Sequence, residues 1–437
     1  MNVELRTAKT EAEQALSSAY QDARERLPGK GDVAKLREDA FQRFETRGLP
    51  HRRVEEWKYT DLRALMRTAY PLALPPDAAA RAGARTAGAI FASVDRQRLV
   101  FVDGAFAPDL SDLSAEQGVS IGSLAEGLAK ADPLVTAHVG QTFATDDVAV
   151  ALNTALMGDG AVIKIAAGVT LRRPIHLIFA ASSDRPQATY VRSLVVVEKG
   201  AQATIIESHE HASAQVNSAL ELVVDDEARV DYIKTAQGRA LQISSLLASI
   251  GARATFNTFA FAAGAELVRN QAFFRFAGEG TTAGIRGVNL LRGKDHVDNT
   301  LLIEHAAAHC QSREQFRAVL DDEAHSVFQG KIVVKPHAQK TDAKMLTRAL
   351  LLSDTAEADN KPELEIFADD VVCGHGATAG ALDPGLKFYL MARGIPAAEA
   401  EALLIQAFIG ETIDEIAHEG IREALMIASL TWLGARK

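Results

Sequence analysis

Two periodicities divide the chain. Near the amino terminus, Ala12, Ala15, Leu16, Ala19, Ala23 and Leu27 recur at the spacing of one helical face, predicting a helix over about residues 10–27. Pro28-Gly29-Lys30-Gly31 breaks it. Asp32 is placed to cap a second helix with the apolar stripe Val33, Leu36, Ala40, Phe41 and Phe44, ended by Gly48-Leu49-Pro50. Trp57 and Tyr59 follow as aromatic anchors between these helices and the next layer. Residues 72–92, Ala- and Pro-rich, read as a loose connection. Leu99-Val100-Phe101-Val102 is a strand turning at Asp103-Gly104 into a return at Ala105-Phe106-Ala107, and Ser123 to Ala129 form a short helix.

From about residue 150 the pattern becomes that of strands. Ala161–Ile165, His176–Phe179, Ser193–Val197, Thr204–Glu207, Ala219–Val224, Arg229–Ile233, Thr255–Phe259 and Gln271–Phe276 follow one another with turn residues between. A small-residue corner recurs at Gly200-Ala201, Glu227-Ala228, Gly251-Ala252, Gly280-Thr281 and Glu323-Ala324, at intervals of 27, 24, 29 and 43, the last read as two coils. A repeat without intervening helices favours a β-solenoid over a sandwich. After Asp383-Pro384 the helical period returns in Ala400, Leu403, Leu404, Ala407 and Phe408, is interrupted at Gly410, and resumes in Ile421, Ala424, Leu425, Ala428 and Trp432. These helices suit either a cap or a docking platform, and the pattern alone does not choose. The expected division is a helical and mixed region over 1–145, a β core over 146–382 and a helical domain over 383–437.

Composition narrows the function. A net charge of −10 argues against a nucleic-acid surface. The amino terminus lacks the apolar run of a signal peptide, and no stretch is long and apolar enough to span a membrane, so a cytoplasmic, membrane-free protein is expected. Two cysteines, Cys310 and Cys373, fit a reducing compartment and form no disulfide framework. No phosphate-cradling G-x-x-x-x-G-K-[ST] loop is present, so no nucleotide site is expected, and the Gly278-x-Gly280 stretch reads as a coil corner. His209-Glu210-His211 reads as a surface pair of histidines. His305, His309 and Cys310 are close in sequence but lie in solenoid-like surroundings.

The most informative stretch runs from Ala338 to Asp383. Gln339-Lys340-Thr341-Asp342 is a polar knot, and Glu363-Leu364-Glu365-Ile366-Phe367 alternates as a strand. If that strand continues through Val371 and Val372, then Asp369, Val371, Cys373 and His375 point the same way, with Cys373 and His375 roughly 6.6 Å apart at Cα. A thiolate and an imidazole side by side suit iron in sulfide clusters or zinc better than calcium or magnesium. A buried Cys serving only as a small hydrophobe is the plainer alternative.

This segment resembles the core signature of the SufB/SufD family of iron–sulfur cluster assembly scaffold proteins. The likeness rests on Ala338-Gln339-Lys340-Thr341-Asp342-Ala343, Leu351-Leu352-Ser353, Lys361-Pro362-Glu363-Leu364-Glu365-Ile366, Ala368-Asp369-Asp370-Val371 and Cys373-x-His375-Gly376-Ala377-Thr378. The Cys-x-His-Gly-Ala-Thr form and Arg53-Val54-Glu55-Glu56-Trp57-Lys58-Tyr59-Thr60 are most similar to the SufD branch. The chain departs from the family pattern at Gly374 and at Met345-Leu346-Thr347. The resemblance implies a right-handed parallel β-helix and a non-catalytic scaffold that pairs with a SufB-like paralogue and receives SufC-like ABC ATPases on its carboxy-terminal helices. It further implies a transient Fe–S cluster at the subunit interface, with His375 as a ligand, Cys373 as a ligand or structural residue, and Asp369 and Asp370 orienting His375 or forming a turn. Two candidate ligands fall short of the four a cluster usually takes, so a partner must supply the rest. A homodimer in the absence of the paralogue is a further expectation. The competing class is a β-helix enzyme acting on carbohydrate, which needs a carboxylate cluster along one face and normally an export signal.

Overall fold

The computed structural model describes residues 8–114, 116–181, 185–211 and 214–435, in which the β-prone runs close into a parallel solenoid with two walls. The first seven residues of the amino-terminal stretch lie outside the described residues. One wall stacks Ile175–Ala181, Gln202–His211, the first halves of the long strands Arg229–Ile250 and Thr255–Phe276, then Thr282–Leu291, Gln311–Leu320, Asp342–Leu351 and Val372–Gly380. The other stacks Ala161–Ile165, Gln187–Val197, Ala214–Val224, the second halves of the long strands, His296–His305, His325–Val334 and Glu357–Ile366. Every rung in these stacks is parallel and pairs with a strand one coil away. The strand Gln97–Val102 joins the first wall beside Ile175–Ala181, in addition to its hairpin with Ala105–Phe106.

The corners explain the repeat. Gly200, Glu227, Arg253, Gly280, His309 and Lys340 all take a left-handed backbone, with φ between 55° and 72°. Each donates its N–H to a carbonyl of the next corner, as Gly200 to Asp226 and Lys340 to Asp370. The spacings of 27, 26, 27, 29 and 31 residues are the true coil lengths. A second corner series runs through Gly238, Gly264, Gly293 and Asp322 on the other side. Glu323-Ala324 belongs to that second series, so the 43-residue interval expected to be two coils joins two different corners. Four of the six positions in the first series are not glycine, which is why composition alone mixed the two.

Alternation fills the lumen. Val195, Leu222, Ala248, Phe274, Ile303 and Ile332 form one continuous inward row of the second wall, all buried. Each such aliphatic or aromatic side chain contributes roughly 1.5–3 kcal/mol by leaving water. Outside, each wall has its own helical cover. Glu11–Ala23, Asp32–Arg47 and Val148–Leu156 bury Leu16, Tyr20, Phe41, Phe44 and Leu152 against Ala188, Tyr190 and Ile243 of the second wall. Ala397–Ile413 and Glu419–Gly434 bury Ile405, Ile409, Ile413, Ile421 and Leu425 against Ile206, Phe259, Val288 and Val319 of the first.

Three local expectations change. Thr10 caps the first helix through a reciprocal pair with Glu13, but Gly31 precedes the second helix and Asp32 lies inside its first turn without capping it. Residues 72–92 contain short helical turns at Ala78–Gly83, Ala84–Thr86 and Ala89–Phe91. Ala397–Ile413 runs unbroken through Gly410, and it buries Ile405, Ile409, Thr412 and Ile413 while Leu403 stays 41% exposed. That helix is apolar on two faces, so spacing could not reveal which one meets the wall. No helix among the described residues is long and apolar enough to cross a membrane.

Candidate functional site

The solenoid ends at an open coil. Among the described residues, Val372–Gly380 pairs only with Asp342–Leu351, and Glu357–Ile366 only with His325–Val334. Their outer edges therefore carry backbone donors and acceptors with no strand beside them. Ile366, Phe367 and Val372 are 41%, 60% and 61% exposed around this end.

Strand alternation turns Cys373 and His375 to the lumen side of this last rung. Cys373 stacks on Ala343 and Ser312, and His375 on Met345 and Glu314. Cys373 is half-buried against the core, while His375 is exposed at the mouth. On the rung beneath them, Thr347 Oγ1 donates across the lumen to Asn360 Oδ1 at 2.9 Å. The structure thus brings the two predicted ligands together, but not through one strand running from residue 363. A corner at residues 367–371 separates Glu357–Ile366 from Val372–Gly380, so the two segments lie on opposite walls.

That corner accounts for the other predicted residues. Lys340 N–H donates to the Asp370 carbonyl at 2.7 Å, Asp370 N–H donates to Gln339 Oε1 at 2.9 Å, and the Asp370 carboxylate pairs with Lys340. Thr341 Oγ1 donates to the Ala338 carbonyl at 2.8 Å, and Arg313 binds Asp342 at 2.6 Å. The polar knot is the stacked corner beneath the last coil. Asp369 and Asp370 are exposed on it, and Asp370 is directed to Lys340 rather than to His375.

The electrostatics distinguish the two candidate ligands. Burial pushes the Cys373 thiol up, and the nearby Asp342 and Glu314 carboxylates add to the effect, outweighing a backbone hydrogen bond from Ala343. A metal taking Cys373 as thiolate must displace its proton. One row beneath Met345, Glu314 is fully buried, neither carboxyl oxygen has a well-formed hydrogen bond, and burial pushes it up to about 7. Chemically, the mouth offers one exposed imidazole and one protonated thiol, an incomplete donor set for an iron–sulfur cluster.

Further down the lumen lies a polar group that the sequence pattern concealed. His209 and His211 are buried, not at the surface, because they share the inward face with Glu207. His209 Nε2 is 2.6 Å from Glu207 Oε1, and Tyr232 donates its hydroxyl to Glu207 Oε2 at 2.9 Å. Burial alone would raise Glu207, but His209, Lys234 and Tyr232 bring it down to about 2. Lys234 is lowered by burial to about 8. The sequence signal for their burial is the alternation along residues 203–211, which puts Ala203, Ile205, Glu207, His209 and His211 on one face. His305 is buried beside Ser312, His309 sits at a corner and Cys310 lies 3.3 Å from the Gly278 carbonyl, each engaged in its own part of the coil.

Two family models together cover most of the chain. Residues 178–408 match the SufBD core domain of SUF system FeS cluster assembly, and residues 10–177 match the SufBD protein N-terminal region. The chain is similar to an iron-sulfur cluster assembly SufBD family protein of Synechocystis, with 33% identity over 84% of each chain. It is also similar to the iron-sulfur cluster assembly protein SufD of Escherichia coli, with 30% identity over 87% of this chain and 88% of that one. SufD of Bacillus subtilis shares 28% identity over 63% of this chain and 64% of its own length.

Proposed function

The chain belongs to the SufBD family of iron–sulfur cluster assembly proteins, and from that premise we propose that it is a non-catalytic scaffold subunit, working in the cytoplasm, whose open coil pairs with a SufB-like paralogue. The observation that carries this reading is the last coil itself: Cys373 and His375 face an uncovered lumen mouth whose two strands have free edges. A second rod laid against those edges satisfies their backbone groups, covers Ile366, Phe367 and Val372, and supplies the ligands that two residues cannot. The nascent cluster is then held between subunits, with His375 as the ligand from this chain and Cys373 available after deprotonation. In the paralogue's absence, a second copy of this chain offers the same edges.

The carboxy-terminal helices serve as the docking platform for SufC-like ATPases. Leu386, Phe388, Tyr389 and Met391 on the helix Pro384–Met391 are between 43% and 72% exposed, alongside Leu403 on the next. Exposed apolar side chains concentrated on these helices fit a partner of this kind. ATP-driven rearrangement then belongs to the partner, acting through different contacts in its two states. The relatives named above give no support to the carbohydrate-enzyme reading.

The test is anaerobic co-expression with a SufB-like paralogue and a SufC-like ATPase, followed by iron and sulfide analysis of the purified complex. His375→Ala leaves the complex assembled and lowers its iron and sulfide content. Wild-type content in the assembled variant complex overturns the ligand assignment, and failure of wild-type chain to assemble overturns the scaffold reading.

A further inference from the structure

A second cluster lies on the outer surface of the other wall. Strand register sets His296, His325 and Glu357 side by side on three successive rungs, with Asp359 two residues beyond Glu357 on the same face. One ligand atom from each of His325, Glu357 and Asp359 lie within 4.8 Å of one another. His325 Nε2 is 2.9 Å from Asp359 Oδ2, and His325 Nδ1 is 3.1 Å from His296 Nδ1. The chain of contacts continues inward: His296 Nε2 is 3.0 Å from Thr60 Oγ1, and Thr60 Oγ1 is 2.5 Å from Asp298 Oδ2. Asp298 is fully buried and paired with the equally buried Arg269.

This line of contacts holds the His325 ring against two carboxylates. Thr60 has one hydroxyl proton, and it is donated to Asp298, the partner of Arg269. Thr60 therefore accepts from His296 Nε2–H. His296 is held between Thr60 and His325, its Nδ1 against the Nδ1 of His325. The other ring nitrogen of His325, Nε2, faces an Asp359 oxygen 2.9 Å away, with the Glu357 carboxylate alongside. One imidazole nitrogen and two carboxylates converging within this distance are a donor set for a single cation.

We propose that His325, Asp359 and Glu357 form a binding site for a divalent first-row transition metal ion, oriented from behind by His296 and Thr60. One imidazole and two carboxylates suit Zn²⁺ or Fe²⁺, and the hydrogen bond on the far ring nitrogen of His325 is the usual means of fixing a ligand's tautomer. His325 and Asp359 side chains keep 23% and 29% exposure and Glu357 is exposed, so the ion reaches the site from solvent and retains open positions. The site is separate from Cys373 and His375, which face the lumen from the opposite wall.

Calorimetric titration of the full chain, stripped with chelator and then given Zn²⁺, tests this directly, with anaerobic Fe²⁺ as the second probe. A Cys373→Ala/His375→Ala double variant removes the other candidate ligands and should still bind one equivalent. In that background Asp359→Asn, nearly isosteric and half-exposed, and His325→Ala should each weaken binding at least tenfold, with circular dichroism unchanged. Thr60→Val should weaken it roughly tenfold through the orientation of His296 and His325. Undiminished affinity in Asp359→Asn and His325→Ala, or no uptake by the double variant, overturns the assignment.

Discussion

Glu314 gives the sharpest energetic test of how the lumen is built. It is fully buried one row beneath Met345 in the stack that ends at His375, and its carboxyl oxygens lack well-formed hydrogen bonds. Burial raises it from 4.5 to about 7, with the Ser312 hydroxyl and Arg313 charge offsetting only part of the effect. Between these two values the unfolded chain has released the proton and the folded chain still holds it. Stability therefore falls as pH rises through that window and levels off above about 7. At about 1.4 kcal/mol per pH unit, the fall is on the order of 3 kcal/mol. Glu314→Gln removes the titration. Urea unfolding followed by circular dichroism at pH 4.5 and pH 8 should show the variant gaining about 3 kcal/mol relative to wild type between the two conditions. The relative change is the informative quantity, because a buried amide has hydrogen-bonding needs of its own. A wild-type-to-variant difference that moves by less than about 1 kcal/mol across this range would refute the claim that the carboxyl is buried as an acid.

Three further outcomes are expected. Trp57 is buried, donates Nε1–H to Asp147 Oδ2 at 2.9 Å and lies 3.9 Å beneath the Arg269 guanidinium; Trp57→Ala should cost about 3–5 kcal/mol and speed hydrogen exchange in Thr255–Phe276, and protection unchanged there would contradict its role as an anchor. Asp298→Asn leaves Arg269 buried without its counter-ion, so a loss of about 3–5 kcal/mol in denaturant unfolding is expected, whereas a loss below about 1 kcal/mol would mean that the pair is solvated. His309 holds a left-handed backbone at φ 61°, so His309→Gly should stabilise by up to about 1 kcal/mol; destabilisation of that size would show that its side chain matters more than its backbone.

The alternation of apolar and polar residues determined the strands, and it set Cys373 and His375 on one face wherever that strand was placed. The first helix was legible from its apolar spacing, whereas its Thr10–Glu13 cap, and the absence of a cap at Asp32, became visible only in the structure. The signature from Ala338 to Asp383 carried the family, because many fixed residue types in order are specific without any knowledge of contacts. Tertiary structure alone decided what lies one coil apart. His296, His325 and Glu357 are 29 and 32 residues distant along the chain, yet backbone pairing makes them neighbours. Coil length varies from 26 to 31 residues, so no fixed interval in the sequence announces such rows. The same cause hid the burial of His209 and His211 and the choice of face on Ala397–Ile413: inward and outward are defined by the closed walls, and a residue's own neighbours in sequence do not carry that information.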